Sequence, residues 1–225
     1  HDRAARHTWH DIQLMATGPV AAAAQAHLDG FLENVADVAS PPKPAANGFL
    51  RTLSRVCPGT VMRVAPRTIL REIEDQHMTG VRGASRLIYL ETQFLRHLPL
   101  ARALARRARR CPDLRLIVVL PAAPDDVAFA SSRGLDARFG EHLQLRCIDR
   151  LKAAFGPDRL LIASPVQSRS RESEERDTLK HAPLIYVHSK VSIFDDSEAI
   201  VSSANLNGRS LRWDSEAGLH LTRAE

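Results

Sequence analysis

Cysteine is scarce: Cys57, Cys111 and Cys147 are the only three in 225 residues, far apart and without a Cys-x-x-Cys spacing. That pattern supplies neither a disulfide framework nor a zinc ligand set, and the three read as small buried hydrophobes. Aromatic residues make up 5% of the chain, which leaves few stacking platforms and counts against single-stranded nucleic acid as the natural ligand. No apolar run reaches the length of a membrane-spanning helix, and the first residues lack the basic-then-apolar pattern of a signal peptide. A soluble or peripheral chain is expected. Gly-x-Gly-x-x-Gly and Walker loops are absent, as is Gly-x-Ser-x-Gly, so neither a nucleotide-cofactor fold nor an α/β-hydrolase has support.

What is present is an ordinary globular composition, 44% hydrophobic and 25% charged, enough for one good-sized core. A net charge of +5 with a pI near 9.6 favours an acidic partner, either an anionic membrane surface or nucleic acid. Hydrophobic patterning alternates between strand and helix. Strands are expected at 61–64, 86–90, 114–120 and 160–163, and helices at 69–77, 100–110 and 140–155. This alternation predicts an α/β fold, a mixed sheet covered by helices. Residues 164–181 are polar and mixed in charge and read as a solvated loop. Arg102, Arg106, Arg107, Arg109 and Arg110 read as the solvated face of a helix, with a phosphate or membrane role as the alternative.

The chemistry concentrates in His188-Ser189-Lys190-Val191-Ser192-Ile193-Phe194-Asp195 and its continuation Ala199-Ile200-Val201-Ser202-Ser203-Ala204-Asn205. Both halves read as strands joined by a turn at residues 195–198. A tight hairpin centred near Asp196 and Ser197 places Lys190 opposite Ser203 and His188 opposite Asn205. An imidazole, an ammonium, a hydroxyl and a carboxamide then share one patch, equipment suited to holding and attacking a phosphate.

The spacing His-x-Lys, four residues, Asp, six residues, a small residue, Ser, one residue, Asn resembles the second signature motif of the phospholipase D superfamily. Arg209-Ser210-Leu211-Arg212-Trp213-Asp214-Ser215-Glu216 and Ile88-Tyr89-Leu90-Glu91-Thr92-Gln93-Phe94 resemble two further segments of that family. Ser202 stands where the family has Gly. The resemblance implies a phospholipase D-like α/β/α sandwich with a mixed sheet, one lobe of a pseudo-twofold pair. It also implies a phosphodiesterase or transphosphatidylase acting on phospholipids through a phosphohistidine, without metal or other cofactor. Cardiolipin-synthase-type phosphatidyl transfer and a superfamily nuclease are the rival enzymes, and a non-catalytic binding fragment is the rival of another class.

Trp9-His10-Asp11-Ile12-Gln13-Leu14, followed by Gly18-Pro19, is similar to the segment that follows the family's first motif, and Trp213 to Leu219 echoes it as a degenerate repeat. The expected organisation is residues 1–39 as a remnant of an N-terminal lobe, with strand 9–14 and an amphipathic helix from Gly18 to Val38. A Pro-rich linker at 40–48 and a C-terminal lobe at 49–225 follow. The missing first lobe is the expected partner, along with phospholipid substrate and peripheral membrane contact.

By the resemblance, His188, Lys190, Ser203 and Asn205 are catalytic, Glu216 hydrogen-bonds the His188 imidazole, and Asp195 supports the motif from the turn. Asp11 would serve the first-lobe histidine in the same way, or is a surface carboxylate. Glu91 and Gln93 line or support the site, or serve as hydrogen bonds at the core's edge. His7, His10 and Asp11 fit no standard metal-ligand spacing.

Overall fold

The computed structural model describes residues 3–36, 48–55, 66–124, 128–129, 134–172 and 174–223. Its centre is one mixed eight-stranded sheet, order β3-β2-β12-β11-β10-β4-β5-β6. The strands are β2 (Phe49–Arg55), β3 (Arg67–Arg71), β4 (Leu87–Glu91), β5 (Arg115–Val119), β6 (Leu160–Ala163), β10 (Val191–Phe194), β11 (Glu198–Ser202) and β12 (Glu216–Thr222). β4, β5 and β6 run parallel, and every other neighbouring pair is antiparallel. The parallel flank needs helical crossovers, and they are here. These are α4 (Leu98–Arg110) and α5 (Leu135–Phe155), which with α3 (Glu72–Gly83) cover one face of the sheet.

Sequence explains why these helices form and dock. α4 starts with Pro99 in its first turn and buries Leu100, Ala101, Leu104, Ala105 and Ala108 at helical spacing. α3 opens on Glu72, Glu74 and Asp75, acids that suit a helix N-terminus. It approaches β10 closely at Gly80, where a Cβ would lie 2.5 Å from the Phe194 ring. The main core joins Ile88, Leu90, Leu116, Val118 and Phe194 of the sheet to Leu100, Leu104, Cys147 and Leu151 of the helices. Truncating a residue such as Leu104, fully buried, costs about 2–5 kcal/mol.

The sheet's second face is covered differently. α1 (Pro19–Asp29) and α2 (Phe31–Val35) lie against β2, with the His27 ring 5.9 Å from Phe49. At the other edge Leu161 of β6 stays 55% exposed. The amphipathic helix expected through Val38 divides at Gly30, and its apolar stripe is only partly packed: Val20, Ala24, Phe31 and Val35 are half-buried, but Leu28 and Leu32 are 65% and 79% exposed.

Other expectations shift in place. The run 69–71 ends β3 and the helix starts at Glu72, because a short apolar run reads equally as strand or helix. β2 was not anticipated. The strand expected at 61–64, the end of the first segment and all but Gly48 of the expected linker lie outside the described residues. Strand 9–14 reduces to β1 (Trp9–His10), which pairs in parallel with β9 (Tyr186–Val187). The polar segment 164–181 is more than a solvated loop. Its end forms the hairpin of β7 (Thr178–Leu179) and β8 (Ala182–Pro183), Arg171 pairs with Asp177 at 3.1 Å, and Gln167 donates to the Thr8 hydroxyl. This segment straps the N-terminal residues onto the body.

Candidate active site

β1 alongside β9 brings the N-terminal segment to the motif. The His188 and Ser189 N–H groups both donate to the His10 carbonyl, at 2.9 and 3.2 Å. Asp11 is thereby delivered to the imidazole, its Oδ2 lying 2.8 Å from His188 Nδ1. The Trp9 ring flanks the imidazole, with centroids 5.2 Å apart. β10 begins only after Lys190, so residues 188–190 form a break between β9 and β10 instead of the continuous strand expected.

The hairpin register also differs by one residue. Phe194 pairs with Glu198 and Val191 with Val201, which puts Lys190 beside Ser202, whose N–H donates to the Lys190 carbonyl at 3.1 Å. The cause is a three-residue connection, 195–197, in which Asp195 adopts the left-handed φ of 52°. The Asp195 carboxylate accepts from the N–H groups of Ser85, Arg86 and Leu87 at 2.8–2.9 Å, ending β10 where β4 starts. Burial would raise this carboxyl, but those backbone donors hold it below its usual range. Asp195 thus fastens the far end of β10 from the turn and does not line the cavity.

The four groups converge despite the shifted register. His188, Lys190, Ser203 and Asn205 line one cavity of about 520 Å³ on the second face of the sheet. Asp11, Ile12 and Leu14 line it from the N-terminal segment, and Phe49, Val201, Ala217 and Leu219 from the strands. The Lys190 ammonium donates to the His188 main-chain carbonyl, folding the lysine side chain back onto the motif's backbone. Burial lowers the Lys190 pKa, against the raising influence of Asp11 and Glu216. For Asp11, burial works upward, but the His188 hydrogen bond, the Ile12 N–H and the Lys190 charge bring the carboxyl below its usual range.

Glu216 is a second correction. Its carboxylate accepts from the Ser203 hydroxyl, and Asp11 occupies the imidazole position expected for Glu216. Ser203 Oγ also receives the Ala217 N–H at 3.1 Å, so the hydroxyl is fixed from both sides. The unusual Ser202 sits opposite Gly218 across β11 and β12, where a Cβ on residue 218 would come within 2.6 Å of the Ser202 Cβ. A glycine on the partner strand thus makes room for the side chain that replaces the family's glycine.

Glu91 and Gln93 lie behind the cavity. The Asn205 amide donates to Gln93 Oε1 at 3.2 Å, and Gln93 donates to the Tyr186 hydroxyl at 2.9 Å. Buried Glu91 pairs with His10 and accepts from Tyr89 at 3.1 Å, and its charge, after burial, pushes the Tyr89 phenol up to about 12. Sequence reasoning missed Tyr186 and the contact of Trp9 with His188. Trp9 carried a signal, standing two residues before Asp11; Tyr186 carried none beyond its place before the motif. Among the described residues no group of three His, Cys, Asp or Glu side chains could hold a metal ion, nor is any helix long and apolar enough to cross a membrane.

Chemically, an imidazole with one nitrogen held by a carboxylate can move a proton at the other. An ammonium, a hydroxyl and a carboxamide beside it can meet phosphoryl oxygens.

A family model described as Phospholipase D matches residues 127–221. The chain is 30% identical over 179 residues to phospholipase D B of Dictyostelium discoideum, which covers 71% of this chain and 15% of that protein. It is 32% identical over 176 residues to phospholipase D zeta 2 of Arabidopsis thaliana, covering 65% of this chain and 16% of that one. The chain therefore spans only about a sixth of the length of these curated relatives. Among solved structures, Nuc from Salmonella typhimurium, described as a phospholipase D family member, superposes with a TM-score of 0.45 at 13% identity, over 68% of this chain and 77% of that one. NucT from Helicobacter pylori gives 0.44 at 15% identity, over 67% and 77%.

Proposed function

Because this chain belongs to the phospholipase D superfamily, we propose that its cavity holds a phosphodiester and that the chain supplies half the machinery of a phosphohistidine mechanism. The observation that carries this reading is the joint lining of one cavity by His188, Lys190, Ser203 and Asn205. Displacement at phosphorus runs in line, with the nucleophile on one side and the leaving oxygen on the other. One imidazole cannot serve both sides. A second lobe of the same motif class, covalent or a companion polypeptide, supplies the other histidine.

That histidine attacks phosphorus, the bond to the leaving alcohol breaks, and the alcohol oxygen takes a proton from His188. Neutral His188 next removes a proton from water or from an acceptor alcohol, whose oxygen attacks the phosphohistidine and frees the first imidazole. Water gives hydrolysis and an alcohol gives phosphatidyl transfer. Lys190, Ser203 and Asn205 neutralise the equatorial oxygens, and Asp11 orients His188. Residues 1–39 and 49–225 are read as parts of two such lobes, and phospholipid is the proposed substrate.

The test uses the two-lobe enzyme with a nitrophenyl phosphodiester, whose leaving group needs no acid. His188→Ala should release one burst of nitrophenol and trap acid-labile phosphate on the other histidine, with negligible turnover. If no burst appears and wild-type phosphate maps to His188, the two roles are exchanged. The 225-residue chain alone should be inactive on phosphatidylcholine, and robust turnover by its monomer would sink the two-lobe reading.

A further inference from the structure

A second concentration of positive charge lies away from the cavity. α4 carries five arginines and no acid. Its first residues follow His97, whose N–H donates to the Leu206 carbonyl beside Asn205. Its last turn ends at Cys111, whose thiol meets the Ser85 carbonyl at 3.1 Å. The 13-residue helix therefore runs about 20 Å from the side of the catalytic cavity toward the opposite end of the sheet.

Between this far half of α4 and the end of α3 is a hollow of about 280 Å³ lined by Met78, Val81, Arg82, Ala103, Arg106, Arg107 and Arg110. Four of those seven are arginine and none is acidic. Ala103 and Val81 are small enough to leave the hollow open, and with Met78 they give it an apolar floor. Arg107 is held in place: its Nε donates to the Ala84 carbonyl at 2.6 Å and its Nη2 to the Gly83 carbonyl at 3.3 Å. Arg82 is held by the Thr79 hydroxyl at 2.9 Å. Arg106 and Arg110 are exposed on the same rim. The acids of α3 are engaged elsewhere, Glu72 with Arg51, Glu74 with Arg212 and Asp75 with Arg71.

A solvated helix face needs no such enclosure. Two guanidiniums fixed by neutral oxygens keep their full charge, and an apolar floor lowers the local dielectric, which strengthens attraction for an anion. Planar forks converging on a small volume match phosphate oxygens in bidentate fashion. The geometry points to a second anion site, distinct from the catalytic cavity, that takes a multiply charged phosphate group, either a phosphomonoester headgroup or a soluble diphosphate. A site at the opposite end of the sheet does not hold the phosphodiester undergoing reaction; it anchors the chain to, or senses, a separate phosphate.

Isothermal titration of the chain with pyrophosphate tests this, in a Lys190→Ala background that removes the ammonium from the catalytic cavity. Saturable one-to-one binding is expected. Arg106→Gln with Arg110→Gln should weaken it by about tenfold or more, and so should Ala103→Leu, which fills the hollow without changing charge. Arg109→Gln, on the same helix but outside the hollow, should leave it within about twofold. Arg106, Arg109 and Arg110 are exposed, and circular dichroism checks the folding of every variant. Vesicles of phosphatidylcholine containing phosphatidate distinguish the source. Co-sedimentation that pyrophosphate competes away and the double variant abolishes assigns a lipid headgroup, whereas pyrophosphate binding without co-sedimentation assigns a soluble ligand. No saturable heat, or an equal loss in Arg109→Gln, overturns the site.

Discussion

Two histidine–carboxylate pairs stand on either side of the segment that follows β11, and their surroundings differ in every respect that matters for chemistry. His97 and Glu74 are 2.9 Å apart and only 3% and 5% exposed at their side chains. Arg212 completes the set, with Nε and Nη2 donating to the two Glu74 oxygens at 2.8 and 2.7 Å. His188 and Asp11 are 2.8 Å apart but 39% and 51% exposed. Among the described residues, His188 Nε2 has no partner. The first pair is buried and braced by an arginine; the second is open to solvent and keeps one imidazole nitrogen free beside the cavity. Burial and a third charged partner suit a brace, and exposure suits a group that moves a proton. The first set joins α3, the start of α4 and the 209–214 segment, and so braces the stretch that carries Asn205.

Breaking the closed set should give the largest effect. Glu74→Ala leaves Arg212 and a buried His97 without their acceptor, and a cost of about 3–5 kcal/mol is expected from urea unfolding. A loss below about 1 kcal/mol would show that the cluster does not brace the fold.

Acid should dismantle the same region without mutation. Burial works against ionisation of Glu74, but hydrogen bonds from Arg212 and His97 bring its pKa from 4.5 down to about 2. Its contribution is therefore present above the unfolded value and is lost as pH falls from about 4.5 through about 2, a difference of about 3 kcal/mol. His77, sealed between the Ile73 carbonyl and the Ser192 hydroxyl, is depressed by burial from 6.5 to about 4. It favours the fold while neutral, so its share is lost as pH falls from about 6.5 to about 4. Stability by denaturant titration should decline in both windows, and Glu74→Gln should flatten the lower one. An unchanged lower window would mean that Glu74 is not the group titrating.

At the open set the expected loss is in rate. Lys190→Ala in the proposed two-lobe enzyme should cut turnover by about 10² or more, the scale of deleting one donor to developing charge, with little change in unfolding midpoint. A rate within about threefold of wild type would remove Lys190 from the mechanism.

The open set was the legible part of the sequence, because His188, Lys190, Ser203 and Asn205 lie within one hairpin whose patterning is local. The register was missed by one residue, since nothing in Asp195-Asp196-Ser197-Glu198 distinguishes a two-residue from a three-residue connection. The distinction comes from Asp195 capping three N–H groups about 110 residues away. Glu216 and Asp11 were assigned to the wrong partners for a similar reason. The parallel β1–β9 pairing that brings Asp11 to His188 spans 177 positions. β2 escaped because Arg51, on a strand, is buried against Glu72, and a charge in the middle of a run reads as a break. The closed set was illegible altogether: Glu74, His97 and Arg212 come from three separate elements, and only their folding together makes them a unit.

The smallest expected effect separates the two pairs most sharply. His188 and Asp11 are each more than a third exposed, so water already solvates much of both charges and the pair adds about 1 kcal/mol or less to stability. His188→Ala should therefore leave the unfolding midpoint nearly unchanged, unlike Glu74→Ala. The same substitution should have a clear local signature. Burial pushes the Asp11 carboxyl up, and the His188 hydrogen bond is the largest influence bringing it down; without the imidazole the carboxyl should titrate at higher pH, observable by carbon NMR of a labelled side chain. Because a depressed carboxyl stabilises the fold above its ordinary pKa and loses that contribution as pH falls, the variant should also be slightly less sensitive to acid in the range where free carboxylates titrate. A carboxyl that does not move would break the pairing itself. An unfolding loss matching that of Glu74→Ala would make the open pair a brace like the closed one.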